Sequence, residues 1–454
     1  MGAISVTLCD GTTRYITIWE NNTTGDISLN SQRLVILVAS SDFSTDPRVY
    51  KQGLAARDAG WDVTVCCYSN FNKYSDTIED GCRIVRIPYA DIILKFPGIP
   101  SSALRILKYI SLKCTQKIIS EYSQMKFDLY VQSDKTSLLY KITEFCRVYL
   151  WALVLYVFAQ IHFYFCVMKF KADVYHSTDL ITLLTGALLK YTNGGKLLYD
   201  SHEMWVESME DYPQRLKKLV SFYEKYLIRR ADAITTVNSQ IAKELSEKYN
   251  IMLPTVVMNT PLLQDAPIQK SHTDIRVVYQ GRYTRNRGIE TVIRTVPNIP
   301  GVTLYMRGID AYAIGNTTPF VDELQKIDSR VIFLPPVPMK DLVQSLNEFD
   351  IGVVPYIGNN FNNTNASPNK TFEYMMAGLA VVTSDLPVLR EIVERSKCGC
   401  TYIQDDGNEL SRVIIEMIPR LEIYKHNARM WSEKEYNWNV QGKKLIDIYG
   451  ELIK

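Results

Sequence analysis

The loop Gly281-Arg-Tyr-Thr-Arg-Asn-Arg-Gly288 crowds three arginines, Arg282, Arg285 and Arg287, ahead of a helix. Guanidinium groups bind phosphate oxygens through paired hydrogen bonds, so this loop is either a diphosphate clamp or a solvated basic turn. A second cluster lies in Asn365-Ala-Ser-Pro-Asn-Lys-Thr-Phe-Glu373-Tyr-Met-Met-Ala-Gly378. Ser367 reads as a helix cap and Pro368 as the first helical residue, which puts Lys370 in the first turn. A cation there opposes the helix dipole by about 0.3–1 kcal/mol, and a bound anion reverses that sign. Glu373 follows three residues later on the same face. The two read as a surface ion pair or as holders of a ribose and a phosphate. His176 and His202 each end an apolar run, Asp173-Val-Tyr175 and Lys196-Leu-Leu-Tyr199. A lone histidine at such a place is more often structural, but two at strand ends of one domain favour a site.

The elements that must hold these groups alternate along the chain. Leu34–Ala39 is a buried-strand run, followed by the polar loop Ser40–Asp46 and a helix that Pro47 opens with Asp46 as cap. The helix stops near Gly60 and Trp61–Cys66 is the next strand. Further strands are expected at 83–88, 128–132, 173–177, 196–200, 233–237 and 255–258. A second series runs through 277–279, 302–306, 331–334, 351–355 and 380–383. The Pro261–His272 stretch, with Pro261 and Pro267, suits a boundary. Two βα series imply an α/β fold of two Rossmann-like domains whose facing strand ends make a cleft. The expected division is an extension at 1–32, a first domain at 33–265, a second at 266–435 and a final helix at 436–454.

Composition removes several classes of function. The 454 residues are 46% hydrophobic and 22% charged, an ordinary globular balance. With 51 Lys+Arg against 49 Asp+Glu, the net charge of +2 gives no bulk electrostatic case for nucleic acid. Nine cysteines are odd in number and form no CxxC pair, which argues against a disulfide framework or zinc site and for a reducing cytoplasm. The first loop lacks Gly-x-Gly-x-x-Gly and no P-loop occurs, so neither a dinucleotide cofactor nor a P-loop ATPase is expected. Residues 1–32 have no signal-peptide layout.

Taken together, the motifs resemble the GT-B fold glycosyltransferases of family 4, the retaining group that builds bacterial surface glycans. The resemblance runs from about residue 33 to the end. It rests on Asp46-Pro-Arg48-Val, Tyr199-Asp-Ser-His-Glu203, Arg230–Asn238, Gly281-Arg282, Arg287-Gly288, Asp350–Tyr356, Ser367–Val382 and the closing Trp438…Leu445…Tyr449…Leu452 pattern. It implies a nucleotide-diphosphate sugar as co-substrate, with Arg282, Arg287, Asn365, Ser367, Asn369, Lys370 and Glu373 at the donor. Asp46, Arg48 and His176 would lie on the acceptor side. His202 would act near the reaction centre, with Arg282 and Arg287 stabilising the leaving diphosphate. The final helix would cross back onto the first domain. No metal or other cofactor is implied, because the cationic side chains do that work. Two positions depart from the family pattern. Arg287 stands where a lysine is usual, and Asn365 stands where the first glutamate of a Glu-x7-Glu motif is usual. Asparagine still exchanges hydrogen bonds with sugar hydroxyls but carries no charge.

Two segments suit a membrane. Residues 101–126 carry Arg105, Lys108, Lys113, Lys117 and Lys126 against Glu121 alone, and read as an interfacial helix for anionic lipid or as a solvated helix face packed on the core; 148–168 lacks any charge. The second is read as a core helix, an interfacial helix or a span. The expected enzyme is cytoplasmic, with peripheral contact to the inner membrane face and a glycan or lipid-linked acceptor. The rivals are a GT-B sugar-nucleotide epimerase and a non-catalytic glycosyltransferase-like subunit.

Overall fold

The computed structural model describes residues 3–7, 13–17, 32–89, 151–209, 212–265, 272–285, 287–313 and 318–454. The expected strand at 128–132, the basic stretch 101–126, the start of 148–168 and linker residues 266–271 lie outside the described residues. Met1–Gln32 and Arg33–Lys454 form separate compact units. In the first, β1 (Ala3–Thr7) and β2 (Thr13–Thr17) pair antiparallel, with Ser5 opposite Tyr15.

The larger unit holds two sheets. The first is built from β3 (Arg33–Ala39), β4 (Asp62–Ser69), β5 (Ser75–Glu79), β6 (Cys82–Pro88), β7 (Val174–Thr178), β8 (Lys196–Ser201), β9 (Ala233–Thr236) and β10 (Thr255–Val256). Their order is β10-β9-β8-β7-β3-β4-β6-β5, and every pair is parallel except β5 with β6. The second sheet is built from β11 (Ile275–Gln280), β12 (Val302–Arg307), β13 (Ile332–Leu334), β14 (Ile351–Val354), β15 (Ala380–Ser384) and β16 (Gly399–Tyr402). It is wholly parallel, in the order β13-β12-β11-β14-β15-β16. Parallel strands are covered by helices on both faces, which is why β3 and β14 read as unbroken apolar runs and are buried along nearly their whole length. In each sheet the order reverses beside the first strand, between β3 and β7 and between β11 and β14. Ligands of such sheets bind outside the strand ends at that reversal. Two α/β domains therefore face each other, as the sequence implies.

Two strands have no counterpart in the sequence reading. β5 is a mostly exposed antiparallel edge strand, and β16 is a short edge strand beginning at Gly399. Neither carries the apolar run by which the others are legible.

Helix α1 (Pro47–Asp58) starts as expected, with the Asp46 carboxylate accepting from the Arg48 and Val49 amides. The uncharged stretch becomes α2 (Trp151–Val167), packed on α3 (Leu180–Asn193). Its polar residues Gln160 and His162 are buried; Gln160 takes the Leu184 amide at 3.0 Å and donates to Tyr223 Oη at 3.0 Å. Phe158 and Phe165 are exposed on the other side. Among the described residues no helix is long and apolar enough to cross a membrane. Over the residues whose side chains are described, α2 packs on the core and leaves Phe158 and Phe165 exposed.

The C-terminal helix, here α4 (Trp438–Leu452), returns to the first domain. Trp438 is buried, its indole N–H donates to the Lys51 carbonyl at 3.0 Å, and its amide donates to the Pro261 carbonyl at 2.7 Å. Tyr449 is buried against Trp61 and His176.

Candidate active site

A cavity of about 270 Å³ lies between the two domains. The first domain contributes Asp46, Arg48, His202, Glu203, Asn238 and Asn259 to its wall. The second contributes Arg287, Tyr356, Asn362, Asn363, Ser367 and Asn369. All come from the loops and helix starts that follow strands.

On the first-domain side the hub is Asp200, at the end of β8 and fully buried. Arg48 grips its carboxylate with two bonds, Nε at 2.8 Å and Nη2 at 2.7 Å, and reaches the Val257 carbonyl with Nη1 at 2.8 Å. Gln52 and Thr235 donate to it as well. A buried carboxylate needs such partners, and despite burial they hold Asp200 well below the usual carboxylate range. His202 places Nε2 at 3.0 Å from Asp200 Oδ2 and Nδ1 at 3.2 Å from Asp179 Oδ2. Burial disfavours its charge, but the two carboxylates outweigh that and lift its pKa to about 10. His202 is thus a fixed imidazolium whose two N–H groups are both taken. Asp179 adopts φ 57° and ψ 169°, a region costing about 1–3 kcal/mol for a non-glycine residue. It also accepts the His202 amide at 2.9 Å.

His176 does not reach the cavity. It is fully buried beneath it, with Nδ1 at 2.6 Å from Tyr449 Oη and Nε2 at 3.5 Å from Asp200. Burial lowers its pKa. It joins the returning helix to the Asp200 hub.

On the second-domain side Arg287 stacks over the Tyr356 ring at 4.2 Å. Arg285 turns away to Glu323, with Nη2 at 2.6 Å from a carboxylate oxygen, and Arg282 is exposed and outside the cavity wall. Gly288, at φ 68°, lets this loop pass the Pro355 carbonyl, which a Cβ would meet at 2.2 Å. The helix bearing Lys370 starts one residue later than expected. It runs Asn369–Met376 with Pro368 at the cap position, and Ser367 makes no cap bond. Pro368 fixes φ but is extended at ψ 136°, which delays the first turn. Ser367 Oγ instead lies 3.4 Å from Asn238 Nδ2.

Lys370 is buried, with Nζ 3.8 Å above the Tyr279 ring. Desolvation and then Arg287 lower its pKa to about 7, against Glu373. Glu373 is half-buried, and burial raises its pKa against Lys51 and Lys370. The surface-pair alternative for these two therefore does not hold. Asn365 is buried, and its side-chain amide donates back to the Phe361 carbonyl at 3.0 Å rather than joining the cavity wall.

Sequence reasoning passed over several residues here. Asp179 signals itself only by its backbone. Asn362 makes a two-bond clasp across the cleft, accepting the Met204 amide and donating to its carbonyl, both at 3.0 Å. Asn238 donates across the cleft to the Asn365 carbonyl at 2.8 Å. Buried Lys51 donates to Asn259 Oδ1 at 2.7 Å and to the Thr260 carbonyl, tying α1 to the interdomain chain. Among the described residues no His/Cys/Asp/Glu group is arranged to hold a metal ion.

Two α/β domains with parallel-sheet cores meeting at one cleft have the GT-B architecture. Family models agree: "Glycosyl transferase 4-like domain" matches residues 46–259 and "Glycosyl transferases group 1" matches residues 274–419. The chain belongs to the GT-B glycosyltransferases. No curated protein sequence matches it. Among solved structures, sucrose-phosphate synthase from Thermosynechococcus elongatus is similar at 16% identity and a TM-score of 0.64, covering 93% of this chain and 99% of that one. A glycosyltransferase from Rickettsia africae is 11% identical with a TM-score of 0.59, covering 94% and 99%. Anabaena HepE, solved with UDP and glucose, is 13% identical with a TM-score of 0.59, covering 92% and 99%. At these identities the likeness speaks to the fold.

Proposed function

We propose that this glycosyltransferase moves a sugar from a nucleoside-diphosphate sugar in the cleft to a hydroxyl of a glycan or lipid-linked acceptor, with retention, in surface-glycan or glycolipid assembly. The observation that carries this reading is the pairing of cationic groups at one cavity. Arg287 and the start of the Asn369–Met376 helix face Arg48 and His202 across it. Lys370, beneath that wall, has no ion-pair partner among the described residues. A diphosphate supplies the missing anion, and helix N–H groups favour it there. Neighbouring HepE structures were solved with UDP and with UDP-glucose, which supports the same class of donor.

In this reading the bond from the anomeric carbon to the diphosphate oxygen breaks first. Arg287, Lys370 and the helix start stabilise the charge on the leaving group. The acceptor oxygen bonds to the same face of the sugar, and its proton passes to the departing diphosphate. His202, clamped between Asp179 and Asp200, exchanges no proton in this reading and fixes the shape of the first-domain wall. These cations do a metal's work, so turnover should survive chelation by EDTA.

Calorimetry with UDP, GDP, ADP and CMP tests the donor site. One nucleotide should bind, and Glu373→Ala should weaken it by about 1–3 kcal/mol if a charged hydrogen bond to the ribose is lost. Equal affinity in the variant would sink the ribose assignment. Binding without any release of diphosphate from sugar conjugates would favour the non-catalytic rival, to which Asn365 lends weight.

Peripheral membrane contact is part of the proposal. It draws on exposed Phe158, Phe165 and Met168 near Lys169 and Lys171, and on exposed Leu219, Phe222 and Tyr226 among Arg215, Lys218, Arg229 and Arg230. Flotation with phosphatidylglycerol vesicles at low salt should carry the protein upward, and no flotation would remove this part.

A further inference from the structure

We infer that Glu203 supplies, from the first domain, the carboxylate that binds hydroxyl groups of the transferred sugar. The inference rests on the donor-site reading above. The cavity wall among the described residues holds two acids, Asp46 and Glu203. Asp46 is spent: one oxygen accepts the Arg48 and Val49 amides at 3.0 and 3.2 Å, and the other accepts Ser41 Oγ at 3.1 Å. Glu203 is half-buried and makes no ion pair among the described residues. Burial and the nearby Asp179 charge raise its pKa, while His202, a hydrogen bond with Ser208 and then Arg287 pull it down.

Several other polar groups of the wall are already engaged, and Asn363, Ser367 and Asn369 of the second domain carry no charge. Asn362 is committed to Met204 and Asn238 to the Asn365 carbonyl. Asn259 accepts from Lys51. Asn365, at the position where a glutamate would meet the sugar, is turned into its own loop. Both N–H groups of His202 are occupied by Asp179 and Asp200. A sugar attached to a diphosphate at Arg287 meets Glu203 as the carboxylate on the first domain's wall that no cation has paired, with Ser208 as its neighbouring hydroxyl partner. A carboxylate only accepts, and it can take two hydroxyl donors at once.

The test compares nucleoside diphosphates with their sugar conjugates. Calorimetry with UDP, GDP and ADP is followed by UDP-glucose, UDP-N-acetylglucosamine, GDP-mannose and ADP-glucose, on wild type, Glu203→Gln and Glu203→Ala. The expected result is an unchanged diphosphate Kd, within about twofold, and a conjugate-to-diphosphate Kd ratio raised about tenfold in both variants. The preserved diphosphate affinity doubles as the control for folding. An unchanged ratio overturns the inference, as does a parallel loss of diphosphate affinity. An unchanged ratio with slowed transfer would move Glu203 to the acceptor, which also overturns it. A wild type that binds no nucleoside diphosphate overturns the donor site itself, and this assignment with it.

Discussion

His202 Nδ1 lies 3.2 Å from the Asp179 carboxylate, so the imidazole is clamped between Asp179 and Asp200. The chain accepts a strained backbone at Asp179 to hold that clamp. A raised pKa of about 10 means that this bond network contributes its full stability below the unfolded pKa of about 6.5 and loses it progressively as pH rises from there through 10. The pH–rate profile should then show no limb from His202 between pH 6 and 8. Nitrogen-15 NMR should find both ring nitrogens protonated at pH 8. Asp179→Asn should lower that pKa by more than one unit and slow turnover about tenfold to a hundredfold, with the diphosphate Kd nearly unchanged. A neutral His202 ring at pH 8 in wild type would defeat this account.

Lys370 predicts a proton count. With its pKa near 7, it is largely neutral at pH 8.5 in the empty cleft. A diphosphate beside it restores the ordinary charge, so binding should take up close to one proton at pH 8.5 and much less at pH 6. Calorimetry in buffers of different ionisation heat reads this directly. Lys370→Arg, always charged, should abolish the uptake. The same shift makes Lys370 a destabilising group below pH 7, relieved as pH rises from 7 toward 10.5. Uptake that persists in the arginine variant would assign it elsewhere, with Lys51, also lowered to about 7, the first suspect.

The Asn362 clasp on Met204 joins the two domains across the cleft by two hydrogen bonds. At about 0.5–1.5 kcal/mol each, their loss in Asn362→Ala should shift the open–closed balance by roughly 1–3 kcal/mol. Small-angle scattering of the ligand-free variant should give a larger radius of gyration than wild type, and saturating nucleotide should narrow the gap. Identical scattering would mean that the clasp does not govern closure.

Most of the architecture was legible because parallel strands bury both faces and leave apolar runs such as Leu34–Ala39. Edge strands bury little, and β5 and β16 were missed for that reason. Within the site, Arg287, His202, Ser367 and Asn369 line the cavity, and their charge, or their place after a strand, marked them. Arg282 and Asn365 share that local sequence but lie outside the wall, because side-chain direction in a loop is set by packing that sequence spacing does not encode. His176 was legible as a strand-end histidine, yet what fixes it is Tyr449, far along the chain. Asp179, Asn362 and Lys51 act through partners in other elements, and nothing local distinguishes them from ordinary polar residues.

Glu224 makes a further case of a charge decided by distant partners. It is fully buried between two phenols, accepting Tyr199 Oη at 3.2 Å and Tyr249 Oη at 2.7 Å. Burial raises its pKa to about 7, more than the two bonds lower it. Between the unfolded value near 4.3 and about 7, the folded chain keeps a proton that the unfolded chain has lost. Stability from this group therefore falls as pH rises across that window, and the full penalty applies above 7. Glu224→Gln removes the titration and keeps the shape, and a phenol can accept from the new amide as readily as it donated before. The variant should melt about 2–4 °C above wild type at pH 8 and nearly level with it at about pH 4. Equal melting at both values would mean that Glu224 ionises without cost, and that the two tyrosines solvate its charge as well as water does.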